Sequence, residues 1–339
     1  MRRALTAAAG AAVGAALLYA ALRNADLSAL PGILGRADAW VALPVFLLYL
    51  LELYLRALRW KLLLAPSGRL GVGDAFKLEA SALALSNVLP LRLGEAARAG
   101  LGTALTGIPA ATVISSMLVE RLMDAAVIVL LFLLAAGAGG APGGIGGTGW
   151  LWALPALAAA GLALLAYERG PGARAGRPGR FPAVSSALEK LRLGAAAFRS
   201  PRTAAAVTAL AALQWLTDAF NLWLIARAFG LGATVTPARS VGLLFSGAVA
   251  VSLPGLPGYF GNFEFAVSRA LASWGADPGA AFACAAFAHL LSYIIFTLTG
   301  LACLYGMGQS LRLVWSRFRA RERGTSAGVT GAEERGQER

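Results

Sequence analysis

The sequence contains few of the side chains from which soluble enzymes build their sites. Of its 339 residues only 14% are charged, and there are one histidine, two cysteines and three lysines. A soluble domain of this size carries nearer a quarter charged residues. Hydrophobic residues account for 58% of the chain. The composition therefore excludes an ordinary soluble domain and favours a protein that lies in a lipid bilayer.

Sequence signatures of catalysis and of cofactor binding are also scarce. No lysine follows a G-x-x-x-x-G sequence, so there is no phosphate-binding loop of the nucleotide-hydrolase type. Cys284 and Cys303 lie in one apolar run, roughly 28 Å apart along a helix, and cannot form a disulfide with each other. With a single histidine they make no zinc site. We therefore expect no enzyme activity, no catalytic residues, no cofactor and no metal site.

What the chain does contain is a series of long apolar runs separated by basic segments, with a net charge of +13. Nucleic acid is a poor explanation for this charge, because the basic residues lie between apolar runs rather than along one face. Twenty-two basic residues fall in segments 1–3, 56–77, 168–202 and 312–339. Only four fall in segments 23–39, 137–149 and 227–239. Because cytoplasmic segments are enriched in Lys and Arg, an inner-membrane protein with both termini in the cytoplasm is predicted.

The apolar runs predict an all-α, polytopic helix bundle with about six full spans and two re-entrant broken segments. This transmembrane region is predicted over residues 1–310 and includes the cytoplasmic basic loop 168–202. Residues 311–339 lack apolar periodicity, so a disordered cytoplasmic tail is predicted there. The predicted full spans are 4–22, 40–58, 109–136, 150–167, 203–229 and 277–307.

The first broken segment follows the apolar run 78–85. Pro90 cannot donate a backbone hydrogen bond, and Gly94 lets the chain turn, so the helix is predicted to break here. Broken backbone at membrane depth persists only where protein or a watery cavity satisfies it. The segment is therefore a candidate binding site. Three charged residues share one face once the helix resumes: Arg92, Glu95 and Arg98.

The second broken segment repeats this pattern late in the chain. An apolar run again ends in serine and proline, then glycine, and a glutamate begins the next helix. Two such interruptions at corresponding places in two halves are typical of a transporter site between inverted repeats. The first segment would enter from the cytoplasm and the second from outside. The residues concerned are Pro254, Pro257, Gly258, Gly261 and Glu264.

Several ionisable residues lie inside apolar runs, where a charge costs ~2.5–3.5 kcal/mol or more at a helix centre. Glu120, Arg121 and Asp124 lie within about one helical turn. They form either a structural, self-neutralising cluster tied to Arg92, Glu95 or Arg98, or a site for a charged substrate. Arg92 and Arg98 suit phosphate, although snorkelling to the interface also explains them. Glu264 suits either a site or a helix cap.

Four further polar residues have simpler explanations. Glu52 and Arg56 are four residues apart, so they are predicted to pair on one helix face. Asp218 and His289 are single polar groups in their spans. Each is predicted to hydrogen-bond to a neighbouring helix.

Four motifs, taken in order, resemble the flippase-like family, which is the transmembrane region of lysylphosphatidylglycerol synthases together with stand-alone relatives. The resemblance covers residues 5–310. Tyr259 and Phe260 depart from it, because smaller residues are expected there. The motifs are Arg59-Trp60-x-x-Leu63-Leu64, Asn87-Val88-Leu89-Pro90-x-Arg92-x-Gly94-Glu95-x-x-Arg98, Val119-Glu120-Arg121-x-x-Asp124 and Leu253-Pro254-x-x-Pro257-Gly258-x-x-Gly261-x-x-Glu264.

The resemblance implies a lipid translocase that moves a charged or glycosylated lipid between leaflets. The lipid would be an anionic phospholipid, an aminoacylated phospholipid or a polyprenyl-phosphate-linked sugar. We expect the soluble aminoacyl-transfer domain of the synthases to be missing, so that activity is not carried over. The alternatives are a small-solute or ion secondary transporter and a membrane-embedded transferase. The predicted substrate-binding residues are Arg59, Asn87, Pro90, Arg92, Gly94, Glu95, Arg98, Glu120, Arg121, Asp124, Pro254, Pro257, Gly258, Gly261 and Glu264.

Overall fold

A computed structural model describes residues 18–19, 41–88, 93–143, 194–253 and 256–309, and all regular structure in these ranges is helical. Two short 3-10 helices cover Ala195–Arg199 and Pro257–Tyr259. The prediction of an all-α protein is thus confirmed for the described part of the chain. The longer helices are α1 Ala42–Leu64, α2 Val72–Val88, α3 Leu93–Thr106, α4 Ala110–Gly137, α5 Pro201–Ala228, α6 Pro237–Ser252, α7 Asn262–Ser273 and α8 Pro278–Gly306.

Local sequence explains where several of these helices begin. Asp277 caps α8 by accepting a hydrogen bond from the Ala280 amide at 2.9 Å, and Pro278 occupies the first turn. This confirms the predicted start of α8. Ser200 and Thr236 cap α5 and α6 in the same way, each followed directly by a proline. The caps satisfy amides that a helix start otherwise leaves unpaired.

The eight helices fall into two sets with the same order of lengths. Helices α1 to α4 have 23, 17, 14 and 28 residues, and α5 to α8 have 28, 16, 12 and 29. In each set the two short helices pack against each other across a break in the chain. We call α2–α3 the first hairpin and α6–α7 the second hairpin. Their breaks coincide with the two broken segments predicted from the sequence.

The contacts between helices are preserved when each helix of the first set is exchanged for its counterpart in the second set. α2 packs on α8 as α6 packs on α4, and α4 packs on α5 as α8 packs on α1. The long helices α1 and α5 pack directly on each other in opposite directions. Along α1, the Arg56 guanidinium lies 5.6 Å from the Trp215 ring centroid, and Leu63 packs in the same cluster as Val207. Residue numbers therefore rise along α1 while they fall along α5.

Glycine permits the closest of these approaches. Gly300 of α8 lies against α2, where the Ser81 hydroxyl donates to the Gly300 carbonyl at 3.3 Å. A Cβ on Gly300 would lie 2.7 Å from the carbonyl carbon of Ala80. The neighbouring Asn87 donates to Thr297 Oγ1 at 3.0 Å. From the first of these contacts to the second, residue numbers rise along α2 and fall along α8, so these two helices are also antiparallel.

Two of the described helices, α5 and α8, are long and apolar enough to cross a membrane when judged by length and composition alone. Helix α1 carries Glu52, Arg56, Arg59 and Lys61 within its 23 residues, which sets it apart from that pair. The predicted number of full spans remains a prediction. Spans 4–22 and 150–167, most of loop 168–202 and the tail 311–339 lie outside the described residues, apart from 18–19 and 194–202.

Candidate functional site

Arg59 of α1 forms the centre of a buried ion-pair network. Its side chain is 0% exposed and reaches two carboxylates on α4. Its guanidinium donates to Asp124 Oδ1 at 2.5 Å and Oδ2 at 3.2 Å, and to Glu120 Oε1 at 2.8 Å. The planar fork of arginine suits this bridging of two acids. Arg59, which entered the prediction only through the family resemblance, therefore ties α1 to α4.

Arg98 of α3 extends the network from the opposite side of Glu120. It donates to Glu120 Oε2 at 2.8 Å and pairs with Glu79 of α2. Its guanidinium lies 4.0 Å from the Trp60 ring centroid, a cation–π arrangement. Arg98 is buried, so snorkelling does not explain it. Glu79 was not predicted as a site residue, although it is the only charge in the apolar run 78–85.

Arg121 differs from the other arginines because 43% of its side chain is exposed. Its closest acids are Asp124 at 3.6 Å and Glu95 at 3.7 Å, both longer than the buried pairs. The sequence placed Arg121 in one cluster with Glu120 and Asp124. In the structure Arg59 lies between those carboxylates, and Arg121 lies at their edge. The cluster on α4 is thus tied to Glu95 and Arg98, as predicted for a structural, self-neutralising cluster.

The second hairpin carries a separate buried pair. Glu264 Oε1 lies 2.7 Å from His289 Nδ1 of α8, and its Oε2 accepts a hydrogen bond from the Gly261 amide at 2.7 Å. The first contact confirms that His289 bonds to a neighbouring helix. The second makes Glu264 part of the cap of α7. Glu264 therefore both caps α7 and pairs with a side chain of α8.

The two hairpins place these pairs at corresponding positions. Glu95 is the third residue of α3 and pairs with Arg121 of the following long helix. Glu264 is the third residue of α7 and pairs with His289 of the following long helix. In each set a carboxylate near the start of the second short helix therefore meets a basic residue of the next helix. Only the pair in the second set is buried.

A cavity of about 500 Å³ lies between the long helices and the second hairpin, and Asn87 of the first hairpin reaches it. Asn87 at the end of α2 lines it together with Gly258 and Tyr259 from the break of the second hairpin. The remaining walls combine ionisable groups with aromatic rings. The ionisable residues are Glu52, Arg56, Arg121, Asp124, Asp218 and His289, and the aromatic residues are Tyr49, Trp215, Phe245, Tyr259, Phe263, Tyr293 and Phe296.

Predicted site residues divide into three groups around this cavity. Asn87, Arg121, Asp124 and Gly258 line it. A second group does not line the cavity but binds residues that do. Arg59 binds Asp124, and Glu264 binds His289. Glu95 belongs to this second group through Arg121, whereas Arg98 and Glu120 pair with each other, with Glu79 and with Arg59 behind the cavity wall. Pro90, Arg92 and Pro254 lie outside the described residues, and the backbone of Pro257 begins the 3-10 turn.

Sequence reasoning did not assign Glu52, Arg56 and Asp218 to the site. The predicted Glu52–Arg56 pair is present, with Arg56 Nη2 at 2.8 Å from Glu52 Oε1. Asp218 hydrogen-bonds to none of the residues that the structure describes and instead lines the cavity, so its predicted partner is not found there. A charged residue inside an apolar span was the available signal for all three.

Glycine is needed in both hairpins, for close packing in the first and for backbone conformation in the second. A Cβ on Gly94 would lie 2.6 Å from the Ser86 amide nitrogen, so the arms of the first hairpin could not pack as they do. In the second hairpin Gly258 has φ 72° and Tyr259 has φ 63°. The second value is uncommon for a residue with a side chain and costs ~1–3 kcal/mol. This strain falls where the family resemblance led us to expect a smaller residue.

Comparison with known proteins gives one result at the level of a family. A family model described as the lysylphosphatidylglycerol synthase TM region matches residues 7–300. No curated protein and no solved structure matches the chain.

Proposed function

Because the chain belongs to the family of lysylphosphatidylglycerol synthase transmembrane regions, we propose that it is a translocase that moves a lipid with a charged or glycosylated head group between leaflets. The observation that carries this proposal is the cavity between the long helices and the second hairpin, which combines charged groups with aromatic rings. The head group would cross through this cavity while the acyl or prenyl tails stay in the bilayer.

Arg121 is the residue of the cavity best placed to meet an anionic head group. It is half-exposed, and its ion pairs at 3.6 and 3.7 Å leave donors of its fork for a ligand. Arg59, by contrast, is buried, and both of its terminal Nη atoms are bound to Glu120 and Asp124. Asn87 adds an amide and Asp124 a carboxylate to the same wall. A phosphate beside a hydroxyl or ammonium group fits these donors and acceptors.

A lipid pathway needs a cavity that reaches the side of the bundle, whereas a small solute needs an enclosed one. Val249 of α6 lines the cavity and is also 48% exposed. Ser252, one turn further along the same helix, lines the cavity and is exposed as well. This exposure favours a lipid over a small solute or an ion as the substrate.

We infer that the two sets of helices form an inverted repeat. The order of helices, the exchange of their contacts and the opposite directions of α1 and α5 support this inference. In such repeats the site lies at the interface, and access alternates when one half rocks against the other. The meeting of Asn87 with Gly258 and Tyr259 in one cavity fits that arrangement.

Further parts of the proposal rest on sequence. From the distribution of the basic segments we propose that the chain is a multi-pass inner-membrane protein with cytoplasmic termini. We propose that the chain acts as a carrier rather than as an enzyme. The alternative, a membrane-embedded transferase, would need a catalytic carboxylate that water reaches, for which Glu95 and Glu264 are the candidates. Glu264 is occupied by His289 and the Gly261 amide, and Glu95 is half-exposed but does not line the cavity.

The test is a lipid-flip assay in proteoliposomes with fluorescent lipids of several head groups. The parent protein should flip at least one anionic, aminoacylated or polyprenyl-phosphate-linked lipid faster than protein-free vesicles do. Arg121→Lys keeps the charge but loses the planar fork, so it should flip at least tenfold more slowly while melting like the parent. Arg69→Lys is the matched control, because Arg69 is exposed and does not line the cavity. Flip rates equal to protein-free vesicles with every head group would refute the proposal.

A further inference from the structure

The interface between α1 and α5 holds two carboxylates but only one cation that is close to both. Glu52 and Asp218 both line the cavity and interact electrostatically with each other and with Arg56. Arg56 is bound to Glu52 through Oε1 at 2.8 and 3.1 Å. Asp218 forms no ion pair with any residue in the described ranges. When both acids are ionised, this interface therefore carries one uncompensated negative charge.

Unsatisfied polar atoms occur at the same interface. Glu52 Oε2 is buried and has no hydrogen-bond partner within the described part of the chain. Gln214 and Asn221 are both 0% exposed, and neither amide group has a partner there. They lie four residues before and three residues after Asp218, so all three occupy one face of α5. Leaving buried polar groups unpaired is destabilising and rare in folded proteins, so these groups point to a ligand.

We propose that Glu52 and Asp218, flanked by Gln214 and Asn221, form a binding site for one monovalent cation, either Na⁺ or a proton. Carboxylate and amide oxygens are suitable ligands for a hard cation. Two carboxylates that repel each other electrostatically can alternatively hold one proton, because both cannot be ionised at low cost. Either ion supplies the single positive charge that this interface lacks.

The other ionisable groups around the cavity already have partners. Asp124 is held by Arg59, and Arg121 lies between Asp124 and Glu95. His289 is paired with Glu264. The cavity wall also holds the hydroxyl groups of Tyr49, Tyr259 and Tyr293. Of these, Tyr49 of α1 interacts electrostatically with Glu52 and Asp218, and its hydroxyl lies 3.5 Å from the Ala288 carbonyl. None of these groups neutralises Asp218.

This site deepens the proposed function and rests on it, because it supplies an energy source for a chain without a nucleotide-binding motif. A cation bound at the wall of the cavity would change the charge that a head group meets there. Movement of the lipid would then be coupled to the Na⁺ or proton gradient. Binding of the cation itself can be measured without any lipid movement.

The experiment follows the melting temperature of the purified full chain with a thiol-reactive dye, which reports exposure of the buried Cys284. One series exchanges choline for Na⁺ at constant ionic strength, and a second lowers the pH in choline. A ligand that binds only the folded state raises the melting temperature in proportion to ln(1 + [L]/Kd). The variants are Asp218→Asn and Glu52→Gln, and the matched control is Asp74→Asn at the exposed start of α2.

We expect either Na⁺ or low pH to raise the melting temperature of the parent and of Asp74→Asn, and the two series identify the ion. The rise should vanish in Asp218→Asn. Without Na⁺ at high pH, Asp218→Asn should melt at or above the parent, because the neutral amide removes the excess charge. A parent that responds to neither ion, an undiminished response in Asp218→Asn or a failure of that variant to fold would overturn the site. Cation binding without lipid flipping would instead overturn only the proposed function.

Discussion

Arg59 and Arg121 provide a direct comparison of buried and exposed arginines in one network. Arg59→Ala would leave Glu120 with Arg98, and Asp124 with the longer contact to Arg121 and a hydrogen bond from Trp215 Nε1 at 3.0 Å. Breaking a buried ion pair by removing one partner costs ~3–5 kcal/mol. Arg121→Ala removes a half-exposed group with contacts of 3.6 and 3.7 Å. Such pairs contribute ~0–1 kcal/mol.

The difference in stability should be large enough to measure in detergent. With an unfolding entropy of ~2.1 cal/mol/K per residue over 339 residues, 1 kcal/mol corresponds to about 1.4 °C, so the melting temperature of Arg59→Ala should fall by about 4–7 °C. That of Arg121→Ala should change by less than about 2 °C by the same conversion. Thermal unfolding with the thiol-reactive dye measures both variants. A double-mutant cycle of Arg59→Ala with Asp124→Asn should give a coupling of ~1–3 kcal/mol.

Two results would refute this reasoning. Equal losses of stability for Arg59→Ala and Arg121→Ala would mean that the two arginines share the structural role. A coupling near zero between Arg59 and Asp124 would mean that their 2.5 Å contact does not stabilise the fold. Either result would also weaken the assignment of Arg121, rather than Arg59, to the head group.

Three other variants test the packing and the topology. Gly300→Ala should lower stability by ~1–3 kcal/mol because its Cβ would press on the α2 backbone; Gly306→Ala, with open space around it, is the control. Cysteines at Asn87 and Thr297, in a background without the native thiols, should cross-link on oxidation, and a lack of cross-linking would contradict the packing of α2 on α8. A cysteine at Arg180 should react with an impermeant reagent only after permeabilisation, whereas labelling in intact cells would reverse the predicted orientation.

Features that depend on a few neighbouring residues could be predicted from the sequence. The Glu52–Arg56 pair follows from the four-residue spacing of a helix, and the start of α8 follows from Asp277 and Pro278. Both helix breaks follow from proline and glycine in apolar runs, since these residues interrupt helices wherever the segment lies. The membrane class follows from composition, because the charged fraction is too low for a soluble surface.

The partners of the buried charges were decided by tertiary structure. Arg59 meets Asp124 across 65 residues, and Glu264 meets His289 across 25, at distances set by how the helices cross. Periodicity shows which residues share a face, but it does not show which face meets which neighbour. For that reason the sequence predicted Arg121 within the cluster and, for Asp218, only a hydrogen bond to a neighbouring helix. Only the packing of α1 against α4 and α5 put Arg59 between the carboxylates and brought Glu52 and Asp218 to one cavity.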